Sequence, residues 1–113
     1  MYRLTAYREA LVRLLTDRER SARQAARPGV ETLLVTDAAG TQFILMDVGW
    51  DGRTRVNAVY VHARLKGGKV WIEQDWTEEG LANELVVAGV PKDDIVLAFQ
   101  PPARRHLTEF AVA

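Results

Sequence analysis

The Gly67-Gly68 pair is the feature that most constrains how this chain of 113 residues can fold. It separates two runs rich in β-branched and aromatic residues, RTRVNAVYVHARL and KVWIEQDW. Two glycines between such runs are typical of a type I′ hairpin turn, in which both central residues have positive φ. The pair therefore predicts an antiparallel hairpin whose register can be counted outwards from the turn. The predicted cross-strand pairs are Leu65 with Val70, Arg64 with Trp71, Ala63 with Ile72, His62 with Glu73, and Tyr60 with Asp75.

This register gives the hairpin two chemically different faces, because successive side chains of a strand point to opposite sides of the sheet. One face is apolar and is predicted to cover the core. It consists of Val59, Val61, Ala63, Leu65, Val70, Ile72 and Trp76. The opposite face is polar and aromatic. It consists of Tyr60, His62, Arg64, Trp71, Glu73 and Asp75.

Two further strands are predicted upstream, from the runs ETLLVTD and TQFILMDVGW. Together the four runs predict an antiparallel meander from Glu31 to Trp76. A two-residue loop at Asp51-Gly52 would assign the faces of the second strand, and a longer loop would reverse the assignment. With the two-residue loop, the core face carries Ile44, Met46 and Val48, and the other face carries Phe43 and Leu45.

Helical spacing returns at both ends of this meander. An amphipathic first helix is predicted from Leu4, Tyr7, Leu11, Leu14 and Leu15. Arg18 falls on the same side of the helix as these apolar residues, so we expect the buried part of that helix to end near Thr16. A second helix is predicted from Leu81, Leu85, Val86 and Ala88, with Thr77 as its N-cap and Glu78 and Glu79 in its first turn. Gly89, Val90 and Pro91 predict where it ends.

The remaining C-terminal segments are short. IVLAF is predicted to form either a last strand or a short buried segment, and we expect Phe110 and Val112 of the apolar C-terminus to dock on the protein. The fold class predicted is α+β, with a four-stranded antiparallel β-meander, a fifth short strand as an option, an N-terminal helix, and a second helix after the sheet. A chain of this length fits one domain, residues 1–113.

Charge is unevenly distributed, although the formal net charge is +0. Residues 1–27 contain seven arginines against three acidic residues, and the acidic residues concentrate between Glu73 and Asp94. A candidate basic patch lies opposite the apolar side of the first helix and consists of Arg13, Arg20 and Arg23. Such a face is commonly just solvated, and an autonomous DNA-binding protein usually has a net basic charge. Direct DNA binding through this helix is therefore the alternative hypothesis for function.

Catalytic and metal-binding motifs are not apparent in the sequence. The chain has no cysteine and a single serine, Ser21. Its glycines match neither the GxGxxG pattern nor the GxxxxGK[ST] pattern of phosphate-binding loops. His62 opposite Glu73 could form a metal-ligand pair or an oriented base, but a cross-strand hydrogen bond is the commoner role of such a pair. We therefore expect no catalytic residue, metal, cofactor or small-molecule substrate. No apolar run is long enough for a membrane span, so a cytoplasmic protein is expected.

The polar and aromatic face of the hairpin is the candidate site. Tyr60, His62, Arg64, Trp71 and Glu73 combine residue types that are enriched at protein interfaces. Two other interpretations remain open. The N-terminal helix or the C-terminal tail could cover this face, or it could stack single-stranded bases, although the neighbouring acidic residues argue against base stacking.

Several segments together resemble the XisI family. They are YR near the start, DVGWDGRTRV, VYVHARLKGGKVWIEQDWTEEGLANELVVAGVPKDDIVLAF, a double proline, and TEFAVA at the end. The likeness covers about residues 1–113 and is weakest over residues 21–30. Two positions depart from the family pattern. Gln100 stands before the double proline, where histidine is frequent, and Trp76 replaces a small residue.

The resemblance implies a function. XisI is the controlling factor for excision of the fdxN element in heterocyst-forming cyanobacteria, acting with an endonuclease-like partner, XisH, while a separate recombinase cuts and rejoins the DNA. For this chain, the resemblance implies a non-enzymatic accessory protein that binds an XisH-like partner. The family provides no catalytic residues that could be assigned to this sequence. Because the apolar C-terminus and the face with Trp71 exceed what two helices must cover, we also expect a homodimer.

Overall fold

The protein folds into a five-stranded sheet with two α-helices. The computed structural model describes residues 2–25, 27–77 and 80–113. Its elements in chain order are α1 (Tyr2–Gln24), β1 (Val30–Thr36), β2 (Gln42–Asp51), β3 (Thr54–Lys66), β4 (Lys69–Asp75), α2 (Leu81–Val87) and β5 (Ile95–Leu97), with 3₁₀ turns at Lys92–Asp94 and Pro102–Leu107. The strands lie in the order in which they occur, antiparallel except that β5 runs parallel to β4. This confirms the predicted fold class, including the fifth strand.

Both helices pack on one face of the sheet, which we call the inner face, and the other is the outer face. The core lies between the helices and the inner face. Its buried side chains come from α1, α2 and strands β2 to β5, and Leu34 of β1 packs against them. Its fully buried large members are Leu11, Leu15, Phe43, Leu45, Val61, Val70, Ile72, Leu81, Leu85 and Ile95. The outer face is therefore the side of the sheet that neither α-helix covers.

The glycine hairpin forms as predicted near its turn. Lys66 pairs with Lys69, and Gly67 and Gly68 have φ of 60° and 78°, so both residues of the two-residue loop are left-handed. Further along, Glu73 is an extra residue in β4. His62 therefore pairs with Gln74, and Val61 pairs with Asp75. The predicted pairs of His62 with Glu73 and of Tyr60 with Asp75 are wrong because of this β-bulge, not because of the turn.

A second bulge, at Tyr60, exchanges the predicted faces of β2. Leu45 pairs with Val61 and Met46 pairs with Val59, so Tyr60 has no partner on β2. Phe43 and Leu45 consequently lie on the inner face, and the outer face carries Ile44, Met46, Val48 and Val59, which we had predicted to lie in the core. The turn itself differs by one residue, since Asp51 pairs with Thr54, but that shift alone would not exchange the faces.

The first helix is longer than its predicted buried part. It continues to Gln24, and its packing continues past Thr16 because Arg18 forms an ion pair with Glu84 of α2. The next residue, Glu19, connects α1 to the sheet. Glu19 accepts a hydrogen bond of 2.6 Å from the backbone N–H of Leu34 on β1.

The second helix begins later than predicted and ends where predicted. Gly80, rather than Thr77, occupies the N-cap position, and the Asp75 carboxylate accepts the N–H of Leu81 at 2.6 Å. The predicted first-turn residues Glu78 and Glu79 lie outside the described residues. Gly89 has φ of 104°, and the N–H of Val90 donates to the Leu85 carbonyl at 2.9 Å, which confirms the predicted stop.

The C-terminal tail docks beside β5. Ala111 forms a parallel bridge with Val96, and Phe110 packs against the core, as predicted. Val112 is 53% exposed, so it docks only in part, and Trp76 is 70% exposed, so its predicted place on the core face is wrong. Within the described part of the chain, no helix combines the length and the apolar character needed to cross a membrane.

Candidate protein-interaction surface

Four residues of the predicted polar and aromatic face lie on the outer face, whereas Tyr60 and Asp75 do not. Asp75 pairs with the buried Val61 and accepts the N–H of Leu81 on α2, so its predicted place on the outer face is wrong. Arg64 and Trp71 are cross-strand partners, and His62 and Glu73 lie beside them. We call these four residues the Trp71 cluster. Arg64 reaches Glu73 at 3.4 Å, and both side chains are about one-third exposed. The cluster therefore joins an aromatic ring to an ion pair at the β3–β4 end of the sheet.

The Trp71 ring is held in place by three neighbouring groups. Its Nε1–H donates to the Lys66 carbonyl at 3.0 Å, which fixes the orientation of the indole. The Lys66 ammonium lies 4.7 Å from the ring centroid, and the Arg105 guanidinium lies 5.5 Å from it. Both cations are close enough for cation–π attraction. The C-terminal 3₁₀ turn thus covers part of Trp71, while the ring remains half-buried and not fully enclosed.

Tyr60 lies on the inner face because the bulge turns it there. It packs against the core, and it lines a surface depression of about 340 Å³ together with Arg18 and Glu84. Burial raises the pKa of the Tyr60 hydroxyl, and the nearby Asp47 carboxylate raises that pKa further. Asp47 in turn accepts a hydrogen bond of 2.7 Å from the buried Thr32. The prediction that Tyr60 belongs to the outer patch is therefore wrong.

His62 has a different partner from the predicted one. Its Nε2 lies 2.8 Å from the Oε1 of Gln42, across the β2–β3 pair. An amide oxygen does not orient a catalytic base as a carboxylate does. Within the residues that the structure describes, no group of three or more His, Asp or Glu side chains converges in a way that could hold a metal ion.

A second outer-face surface was missed by the sequence analysis. Directly paired residues share a face, and the pairs Leu33–Met46, Met46–Val59 and Val35–Ile44 place apolar side chains side by side on β1, β2 and β3. We call this surface the apolar stripe. Its members are Leu33, Val35, Ile44, Met46, Val48 and Val59. The signal was present in FILM, residues 43–46, a continuous apolar run of the kind found in strands covered on both faces.

The candidate basic patch on α1 is largely compensated by acidic side chains. Arg20 lies 3.6 Å from Asp17, and Arg23 lies 3.8 Å from Glu19. Arg13 has no acidic partner among the residues described. The other arginines of residues 1–27 bond to Asp94, Glu84, Asp47 or the Gly40 carbonyl. The helix therefore presents a mixed surface on which Arg8 and Arg13 have no acidic partner among the described residues.

Comparison with known proteins gives a consistent picture. The family model described as XisI protein matches residues 1–112. Among solved structures, a XisI-like protein from Anabaena variabilis ATCC 29413 is 36% identical, with a TM-score of 0.90, covering 97% of this chain and 99% of that one. The fdxN element excision controlling factor XisI from the same organism is 35% identical, with a TM-score of 0.82, covering 98% and 99%. No curated protein gives a significant match.

Proposed function

Because this chain belongs to the XisI family, we propose that it is a controlling factor for excision of a DNA element and that it acts by binding a protein partner, without catalysing a reaction itself. A structurally similar protein carries the description fdxN element excision controlling factor. The resemblance to the family further indicates an XisH-like partner with an endonuclease fold. Under this proposal, other proteins cut and rejoin the DNA.

The observation that carries this proposal is the Trp71 cluster. Tryptophan and arginine are the residues most enriched among those that dominate binding energy at interfaces. The Trp71 ring is oriented by the Lys66 carbonyl before any partner arrives, so little side-chain entropy is lost when it is covered. Lys66 and Arg105 add positive charge around the ring, while Arg64 is already neutralised by Glu73. The surface therefore suits a partner patch with an apolar centre and acidic residues around it.

The charges of α1 favour a protein over DNA as the direct ligand. Non-specific duplex binding comes mainly from phosphate neutralisation by several free cations. On this helix Arg20 and Arg23 already face Asp17 and Glu19. Direct DNA binding through Arg13, Arg20 and Arg23 is the alternative that the following experiment separates from the proposal.

Co-purification with the neighbouring XisH-like gene product tests the proposal. Wild-type protein should retain the partner. Arg13→Glu with Arg20→Glu should retain it equally well, because those residues lie on the opposite side of the molecule from the Trp71 cluster. Failure of the wild type to retain the partner, or loss of the partner only in the double variant, would contradict the proposal. A gel shift at low salt that disappears in the double variant would support the DNA-binding alternative instead.

A further inference from the structure

The apolar stripe lies in rows that run across three strands of the outer face. Leu33, Met46 and Val59 occupy one row, and Val35 and Ile44 occupy the next. Val48 continues the stripe towards the turn. Val35 is 41% exposed and the other members are partly exposed, although all six side chains are aliphatic. Both α-helices lie on the other side of the sheet, so the stripe is an aliphatic surface in contact with solvent.

We propose that a second copy of this chain covers the apolar stripe, so that the protein is a dimer formed by face-to-face packing of two outer faces around a two-fold axis parallel to β2. This inference does not depend on the partner proposed above. Two sheets pack well when aliphatic inner side chains interdigitate about 10 Å apart with their strands nearly aligned. Around this axis, β2 of one copy faces β2 of the other, and β1 faces the second copy's β3.

In this arrangement, charged residues at the border of the apolar stripe on one copy lie near opposite charges on the other copy. Glu31 lies on β1 in the row of Val48, and Arg55 lies on β3 in the adjacent row, beside Trp50. Both are exposed, and neither forms a salt bridge within the described residues. The two-fold axis brings Glu31 of each copy over the β3 end that carries Arg55 of the other. One interface therefore contains this opposite-charge pair twice, as an isologous contact requires.

The size of the surface suits a small dimer interface. Three strands about 4.8 Å apart and three same-face rows about 6.8 Å apart, twice the rise per residue, give an apolar footprint of roughly 15 by 20 Å. The apolar stripe supplies about half of the roughly 600 Å² per partner found at the lower end of specific interfaces, and the polar border that carries Glu31 and Arg55 supplies the rest. Trp71 and Glu73 lie on β4, one strand beyond this footprint. The dimer therefore leaves both of these residues accessible on each copy.

Sedimentation equilibrium between about 1 and 200 μM tests the dimer. The wild type should reach twice the mass of the 12.7 kDa chain. Val35→Asp and Met46→Asp should each remain folded and monomeric at concentrations where the wild type is dimeric, because a carboxylate would be buried without a partner. Val87→Asp is the matched control, since Val87 is 89% exposed on α2 and should leave the dimer intact. A monomeric wild type, or two folded stripe variants that remain dimeric, would overturn the proposal.

Charge exchange tests the geometry separately. Glu31→Arg alone and Arg55→Glu alone should each weaken self-association about tenfold or more, because each variant places like charges opposite each other twice. An equimolar mixture of the two variants should restore association, since both contacts then join opposite charges. If the mixture associates no better than the separate variants, the proposed axis is wrong. Because this readout uses no other protein, it is independent of partner binding.

Discussion

At the scale of single residues, two glycines bring β1 and β2 unusually close together. A Cβ on Gly49 would lie 1.9 Å from the carbonyl oxygen of Gly29, and Gly49 has φ of 146°. The same Gly29 oxygen accepts the N–H of Trp50 at 2.7 Å. The close contact therefore joins the start of β1 to the far end of β2. It explains physically why glycine precedes tryptophan in the VGW segment.

We predict that Gly49→Ala is strongly destabilising. The added methyl group must displace backbone atoms, so the free energy of unfolding should fall by about 2 kcal/mol or more. Gly52→Ala is the matched control. Gly52 also has a positive φ, of 61°, but no atom lies within 4 Å of its added Cβ, so only the conformational cost of about 1 kcal/mol applies. Urea denaturation measures both variants, and equal losses would refute the close-contact explanation.

At the scale of elements, polar contacts between side chains distant in sequence tie α1 to the C-terminal half of the chain. Arg18 pairs with Glu84 on α2, and the Tyr7 hydroxyl donates to Asp94 in the 3₁₀ turn before β5. Arg3 lies 3.6 Å from the same Asp94 carboxylate. Burial and the hydrogen bond to Asp94 raise the pKa of Tyr7 to about 12. The first helix is therefore joined to the 3₁₀ turn before β5 through a buried phenol.

This contact predicts a loss of stability in alkali. Below pH 10 the Tyr7 phenol is neutral in both the folded and the unfolded chain, so its stabilising contribution is fully present. Between about pH 10 and 12 the unfolded chain releases the proton first, and the free energy of unfolding should fall by on the order of 2 kcal/mol. Tyr7→Phe should lack this part of the decline. Denaturation at a series of pH values measures both proteins, and parallel curves for the two would disprove the contribution.

Elements with local signals were predictable from the sequence, and the faces of the strands were less so. The Gly67-Gly68 turn and the stop at Gly89 follow from glycine's access to positive φ, which is a local property. The bulges at Tyr60 and Glu73 depend on packing across the whole sheet, and nothing in their sequence neighbourhood marks them. One extra residue exchanges every side chain beyond it. For that reason Tyr60 and Val59 lie on the opposite faces from those predicted.

At the scale of the whole molecule, the outer face carries two surfaces of different chemistry side by side. The pairing of Arg64 with Trp71 was predicted correctly because both residues lie between the Gly67-Gly68 turn and the two bulges. Ile44, Met46, Val48 and Val59 of the apolar stripe are predicted to lie in the core because the sequence gives no sign of the Tyr60 bulge. The part of the candidate site nearest the glycine turn was thus predictable, whereas the apolar stripe had only the apolar run of β2 as its sequence signal, and the complete register was needed to place its members on one face.

If the Trp71 cluster binds the protein partner, two tryptophans of this chain should differ sharply in their effect on binding. The measurement is the dissociation constant of the complex with the XisH-like partner. For Trp71→Ala it should rise about 30-fold or more, equivalent to about 2 kcal/mol for an aromatic residue central to an interface. Trp76→Ala removes an equally large, 70% exposed side chain outside the cluster and should leave the dissociation constant within about twofold of wild type. Unchanged binding by a folded Trp71→Ala protein would contradict the account.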